Sequence, residues 1–261
     1  MRLVGATFYL RVVDPKTTPQ NLKLLKAYGA EIDMVLEPDP ATNDFLTARI
    51  HRVKSRLAEV PNSFWCNQYA NLDNAGAHHQ TFCEILEYCN GQVDYLFCAT
   101  SSCGTLRGCA DYVHQMNLDT KIIAVDAVGS VIFGGQQGQR FLPGHGAGRI
   151  PELFKPGLQH DHVYVSDIES IRGCRRLLER EAILAGDSSG AIVHAVGEVA
   201  SQIPAGATCV AILCDRGERY LDTIYDNTWV EKNLGHRMRS EYFTDAQVEA
   251  VPIQMETMVF A

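Results

Sequence analysis

The sequence predicts an α/β protein built on a mostly parallel sheet with helices on both faces, and three observations predict it. Short β-rich runs alternate with helix-period segments along the chain, which is the pattern of parallel strands joined by crossover helices. The first 36 residues read as one complete βαβ unit. At Val93-Asp-Tyr-Leu-Phe-Cys98 an apolar run feeds the small-residue turn Ala99-Thr-Ser-Ser-Cys-Gly-Thr-Leu-Arg-Gly108, which leads directly into a helical pattern.

In chain order, Ala6 to Val13 reads as a strand, Pro19 to Tyr28 as a helix closed by Gly29, and Glu31 to Leu36 as the next strand. A polar helix from Phe45 to Glu59 follows, then a short strand at Phe64-Trp-Cys66, a helix from His78 to Tyr88, and the strand before the small-residue turn. Beyond it come a helix from Thr105 to Gln115, the strand Lys121 to Val125, and a loop-rich stretch from Gly129 to Gly148. The strand Val163 to Val165, helices Ile168 to Arg180 and Gly190 to Ser201, and the strand Cys209 to Leu213 complete the pattern. No internal repeat and no low-complexity linker interrupts it.

Composition bounds the function. A chain of 261 residues with 46% hydrophobic and 21% charged residues can form one large domain or two modest ones. A net charge of −8 and a pI near 5.6 argue against a nucleic-acid surface. The series Arg172, Arg175, Arg176 and Arg180 reads as a solvated helix face. Nine cysteines, at 66, 83, 89, 98, 103, 109, 174, 209 and 214, form no C-x-x-C pair and sit mostly in apolar segments, as expected of reduced, buried thiols. His160-Asp-His162 and His78-His79 lack a second ligand pair at zinc spacing, so no metal is expected. No apolar run reaches the length of a membrane span, and the start lacks the features of a signal peptide; the expected location is the cytoplasm.

The segment after Cys98 carries the strongest chemical signal. Residues Ser101 to Thr105 are small enough for backbone N–H groups to approach a ligand, and the following helix supplies the positive end of its dipole. The turn is thus a candidate phosphate cradle, or, with no ligand, a tight α/β turn. Ligands in such sheets collect beyond the carboxyl ends of strands. The cradle, the loop after Val125, and Cys214-Asp-Arg-Gly-Glu-Arg-Tyr-Leu221 should therefore converge on one crevice.

Ser101-Ser-Cys-Gly-Thr105, Gly144-His-Gly-Ala-Gly148, Leu184-Ala-Gly-Asp-Ser-Ser-Gly190 and Gly217-Glu-Arg-Tyr-Leu221 occur in the order found in the cysteine synthase family, which the chain resembles from Met1 to about Gly235. The resemblance implies a tryptophan synthase β-subunit-like fold and a pyridoxal 5′-phosphate cofactor. Within the family the chain is most similar to the siderophore-type N-(2-amino-2-carboxyethyl)-L-glutamate synthases of 2,3-diaminopropionate biosynthesis. That likeness rests on Val12 to Lys16, Asn21 to Lys23, Ala124 to Ala127, Gly129 to Gly134 and Asp215 to Asp222. Asp215 stands where most members have serine, and the cradle departs from Gly-Thr-Gly-Gly-Thr; both departures match this subgroup.

The resemblance implies roles. Ser101, Ser102, Gly104 and Thr105 would hold the cofactor phosphate, with Cys103 as a small spacer. Asp215 would face the pyridine nitrogen, where a carboxylate strengthens the electron sink; without that role it is a solvated loop aspartate. Gln68 matches a position that contacts the substrate carboxylate, or is a strand-end polar residue. Gly144 and Gly146 would form the lip of the cleft. Arg149 could bind a second carboxylate or a phosphate leaving group through a forked hydrogen bond, or be a surface arginine. The implied reaction is a β-replacement in which O-phospho-L-serine loses phosphate and the amine of L-glutamate adds at the β-carbon.

The family's Schiff-base lysine lies in an N-terminal Lys-Asp-Arg type motif that this chain does not contain, and Lys16, Lys23, Lys26, Lys54, Lys121, Lys155 and Lys232 offer no matching context. No catalytic residue is therefore identified, and the chain is expected to be N-terminally truncated. An exposed sheet edge and uncovered apolar surface should follow. The implied domains are a smaller mobile substrate subdomain over 15–100 and an incomplete cofactor domain from 1–14 and 101–261. The partners expected are small amino-acid substrates and a second copy in a homodimer, with no nucleic acid and no membrane. Two other readings stay open: a non-catalytic paralogue or split-enzyme half that binds the cofactor or a partner, and a plain cysteine synthase.

Overall fold

The computed structural model describes residues 9–15, 17–43 and 45–236. The start of the first predicted strand, residues 6–8, and Lys16 lie outside the described residues. The chain divides into two compact units, Met1–Cys66 and Asn67–Ala261. The family resemblance instead sets the smaller subdomain at 15–100.

In the first unit, β1 (Leu10–Val13) pairs in parallel with β2 (Glu31–Met34), with Leu10 opposite Glu31 and Val13 opposite Met34. Helix α1 (Pro19–Ala27) starts where Thr18 accepts a hydrogen bond from the Asn21 N–H at 3.3 Å and Pro19 presets the first turn. Helix α2 (Phe45–Glu59) lies where the sequence places it. Its arginines serve the strands: Arg56 Nε donates to Asp33 Oδ2 at 2.7 Å, and Arg49 pairs with Asp14 at 3.1 Å. Neither helix fully buries a side chain, and Tyr28, Leu36 and Phe64 are exposed. The predicted strand at Phe64-Trp-Cys66 is instead irregular backbone; its apolar run finds no neighbouring strand, and a strand needs a partner ladder.

The second unit holds a four-stranded parallel sheet in the order β5-β4-β3-β6, with β3 Tyr95–Ala99, β4 Lys121–Ala127, β5 Asp161–Val165 and β6 Cys209–Ala211. Alternation along the strands sorts the core into two layers. Leu96, Cys98, Ile122 and Ala124 pack against Phe82 and Ile85 of α3 (Leu72–Tyr88) and Leu106 and Cys109 of α4 (Gly104–Gln115). On the opposite face Phe97, Ile123, Val125, Val163 and Val165 pack against Ala191, Ile192 and Ala195 of α6 (Asp187–Val199). This is the α/β architecture of parallel strands and covering helices that the sequence predicts. Helix α3 begins six residues before the predicted His78, because Asn71 caps it by accepting from the Asp73 N–H at 2.9 Å.

Helix α5 (Asp167–Glu181) opens with a capping box between Ser166 and Glu169. It crosses α6 at two glycines, where a Cβ on Gly173 would stand 2.0 Å from the Gly190 carbonyl oxygen. The arginine series on α5 is not wholly a solvated face. Arg175 is 6% exposed, and its guanidinium donates to the Ile224 carbonyl at 2.9 and 2.7 Å and to Asn227 at 2.6 Å. It anchors the segment leading into α7 (Asn227–Leu234), a helix the sequence pattern missed. The cysteines are free, but Cys66, Cys83 and Cys214 are exposed rather than buried. Among the described residues no helix is long and apolar enough to cross a membrane.

Candidate cofactor site

Strand β3 lies between β4 and β6, so the chain leaves it to one side through α4 and returns on the other through β6. The crevice beyond the carboxyl ends of such neighbours is where α/β sheets bind ligands. Ser101 and Ser102 follow β3, and Cys103 takes the left-handed conformation at φ +63° as the N-cap of α4. The Cys103 side chain makes no capping hydrogen bond, and the N-terminal amides of α4 are directed at the turn. The Ser102 hydroxyl lies 3.5 Å from the Gly104 nitrogen. A side chain at Gly104 would displace the Asn74 amide, which a Cβ there would meet at 2.6 Å. Burial pushes the Cys103 thiol up to about 12, so it fills space and is not a thiolate nucleophile.

The lip is stitched to the cradle. The Gly146 N–H donates to the Thr100 carbonyl at 2.6 Å, and Gly146 itself is buried at φ +77°, where Arg140 and Ala127 leave no room for a side chain. Asp187, the first residue of α6, accepts from the Gly144 N–H at 2.9 Å and lies 3.3 Å from His145 Nδ1, both side chains of the pair being fully buried. Next to it the Gly186 N–H donates to the Asp215 carbonyl at 3.0 Å. A continuous chain of contacts therefore runs from cradle to lip to α6 to Asp215, and the three loops that the sequence places at strand ends come together at the carboxyl end of the sheet.

Asp215 follows β6. Its Oδ2 accepts from the Tyr220 hydroxyl at 2.8 Å and from Arg219, while its Oδ1 is buried and no described residue partners it. Burial raises its pKa, an effect that Tyr220 and Arg219 oppose. It is thus a largely desolvated carboxylate with Oδ2 held and Oδ1 unpartnered against Gly186, where a Cβ would stand 2.0 Å from it, rather than a solvated loop aspartate. Arg149 is half-buried, with its guanidinium 5.7 Å from the Tyr69 ring centroid and its Nε buried without a described partner. Gln68 is exposed beside it in sequence, its carbonyl accepting from Asn74 at 2.7 Å, and the Leu153 N–H donates to the Tyr69 carbonyl at 3.1 Å.

Sequence reasoning did not single out Asp187, His145 or Asn74. Asp187 and His145 sit inside motifs already noticed, and their polar character amid small residues was the signal. The histidine pairs have non-metal employment: His162 stacks on Phe133 with centroids 4.8 Å apart, and His78 bonds to Thr81 and Thr105.

These residues fit pyridoxal phosphate at its two polar ends. The N-terminal amides of α4 suit a phosphate monoester, and the unpartnered Oδ1 of Asp215 has acceptor capacity for the pyridine N–H. The aldehyde end has no such counterpart among the described residues, because Lys23, Lys26, Lys54, Lys121, Lys155 and Lys232 are all exposed.

Comparison with known proteins finds the same fold in pyridoxal-phosphate-type relatives. The fold is similar to an O-acetylserine dependent cystathionine β-synthase from Helicobacter pylori at a TM-score of 0.75 and 26% identity, covering 83% of this chain and 70% of that one. A hydrogen sulfide-producing enzyme from Fusobacterium nucleatum matches at 0.74 and 26%, covering 82% and 72%. An O-ureido-L-serine synthase shares the fold at 0.74 and 22% identity, covering 90% and 71%. The family model described as pyridoxal-phosphate dependent enzyme matches residues 3–215, and this chain belongs to that family.

Proposed function

We propose that the protein serves a β-replacement in which the phosphate of O-phospho-L-serine is displaced by the amine of L-glutamate, giving N-(2-amino-2-carboxyethyl)-L-glutamate. The observation that carries this reading is Asp215, a half-buried carboxylate with one oxygen held by Tyr220 and Arg219 and the other without a hydrogen-bond partner among the described residues. The similar Helicobacter enzyme is named for O-acetylserine, another β-substituted L-serine. When bound, the cofactor supplies an electron sink that acidifies the substrate α-carbon and lets the β-substituent leave.

The chain's own residues hold and orient. The cradle from Ser101 to Thr105 would take the phosphate through backbone N–H groups and hydroxyls. Asp215 would keep the ring nitrogen protonated, which deepens the sink. The lip, fixed by Asp187 and the Thr100 carbonyl, would shield the crevice from water. Gln68 would bind the amino-acid carboxylate, and Arg149, stacked on Tyr69, the side-chain carboxylate of the acceptor by a fork. A homodimer acting in the cytoplasm goes with this reading on the family resemblance alone.

A second reading has its own observation, the exposure of all six described lysines. In it the chain holds the cofactor without a covalent bond and acts with a partner that supplies the lysine, or without catalysis. Borohydride reduction of the cofactor-loaded protein followed by peptide mapping separates the two. A pyridoxyl group on one defined lysine, with sustained turnover of O-phosphoserine to phosphate and the glutamate adduct only when glutamate is present, supports the synthase. Scattered labelling on surface lysines and cofactor lost on dialysis support the second reading. Sulfide consumption with O-acetylserine in place of glutamate coupling would make it a cysteine synthase.

A further inference from the structure

The cradle's hydroxyl at Thr105 does not stand alone. Its Oγ1 lies 3.2 Å from His78 Nε2, and His78 Nδ1 lies 3.3 Å from the Thr81 hydroxyl. His78 reaches α4 because the two helices touch at backbone distance. Gly108, one turn beyond Thr105, leaves no space for a side chain, with a Cβ there falling 2.6 Å from the His78 Cβ. Asn74, one turn before His78, covers Gly104. The face of α3 that carries Asn74 and His78 therefore lines the start of α4.

We propose that His78 is a positioning residue that makes the Thr105 hydroxyl a hydrogen-bond donor toward a phosphate monoester in the cradle. This rests on the cradle being the cofactor's phosphate site. A neutral imidazole carries one N–H donor and one acceptor nitrogen. If Thr81 O–H donates to Nδ1, the ring proton sits on Nε2 and donates to Thr105 Oγ1, which frees the Thr105 O–H for the anion. In the reverse order Nε2 accepts the Thr105 proton, and only oxygen lone pairs face the phosphate. An anion in the cradle selects the first order, and Thr81 supplies the donor that completes it. Partial burial disfavours the charged form of His78, in keeping with a neutral ring.

The test is calorimetric titration of the full chain with pyridoxine 5′-phosphate, which has no aldehyde to react with exposed lysines, with pyridoxine as the phosphate-free control. His78→Leu should weaken the phosphate ester about tenfold, the scale of one hydrogen bond to a charged group, and leave pyridoxine unchanged. His78→Gln, whose amide can place a donor near Nε2, should stay within about twofold, and Thr81→Val should lose about threefold, both less than that full bond. In a Thr105→Val background His78→Leu should cost nothing further, because the two act through one hydroxyl. Equal weakening of ester and control, or a lowered melting temperature with unchanged ester affinity, would overturn the proposal and leave His78 as helix packing. If His78→Leu does not fold, wild-type affinity in Thr81→Val overturns it. Wild-type protein that fails to bind the ester refutes the cradle itself; variants that bind it as the wild type does refute the relay alone.

Discussion

Gly108→Ala tests whether the α3–α4 contact holds the cradle's supporting helix in place. In an open helix this substitution gains about 1 kcal/mol from backbone propensity. At Gly108 the added Cβ would stand 2.0 Å from the Ala75 carbonyl oxygen and 2.6 Å from the His78 Cβ. Non-bonded heavy atoms settle near about 3.5–4.0 Å, so the helices must part by roughly 1 Å or more. Overpacking of a close contact costs about 1–3 kcal/mol, and a contact against backbone belongs at the upper end. The net is a loss of about 2 kcal/mol, or about 4–8 °C in melting temperature for a unit of this size. Gly76, in the middle of α3, is the internal control, since a Cβ there meets nothing within 4 Å and the residue is exposed. Gly76→Ala should gain about 0.5–1 kcal/mol. Urea unfolding of both variants beside the wild type, compared at equal slope, reads the two signs. A Gly108→Ala protein as stable as Gly76→Ala would refute the close contact and with it the placement of His78.

Three further outcomes follow from the same geometry. Asp215→Asn removes a carboxylate whose ionised form burial disfavours, so without cofactor at pH 7 the variant should be at least as stable as the wild type. Because the folded pKa lies above the unfolded 3.8, that advantage should vanish as pH falls through the folded value, while pyridoxine 5′-phosphate binds about tenfold more weakly at neutral pH for loss of a charged partner; melting curves and calorimetry check both. Arg149→Ala should raise KM for glutamate about tenfold with O-phosphoserine little affected, the scale of one charge-assisted contact; equal effects on both substrates, read from initial rates, would remove Arg149 from the acceptor site. His78 has a pKa lowered by burial below 6.5, so the unfolded chain takes the proton first and the neutral ring's contribution, present above 6.5, is lost as pH falls through that value. Unfolding curves from pH 8 to pH 5 should show the wild type losing stability relative to His78→Gln over that window.

What was legible in the sequence was whatever the chain writes locally. The alternation of strand and helix survives because the central strands β3 and β4 are apolar on both sides, as Leu96 to Cys98 show by feeding two core layers. The cradle was legible because a turn packed against a helix start favours small residues, and at Gly104 a side chain would have to displace the Asn74 amide. Cys103 takes that turn at φ +63° without being glycine, a departure that only the coordinates expose. Long-range partners were not legible. The solvated-face reading of Arg175 failed because its acceptors, Ile224 and Asn227, lie about fifty residues downstream, beyond any helical period. Asp187 and His145 hid for the same reason, since each looks like an isolated polar residue until the fold brings them within 3.3 Å. The hydroxyl of Thr105 was assigned from its place in the cradle, but which way it can point depends on His78, and nothing between residues 78 and 105 announces that the two meet. Local sequence thus marks where a ligand can approach, whereas the protons and charges that decide how it is held are set by contacts the chain makes only after folding.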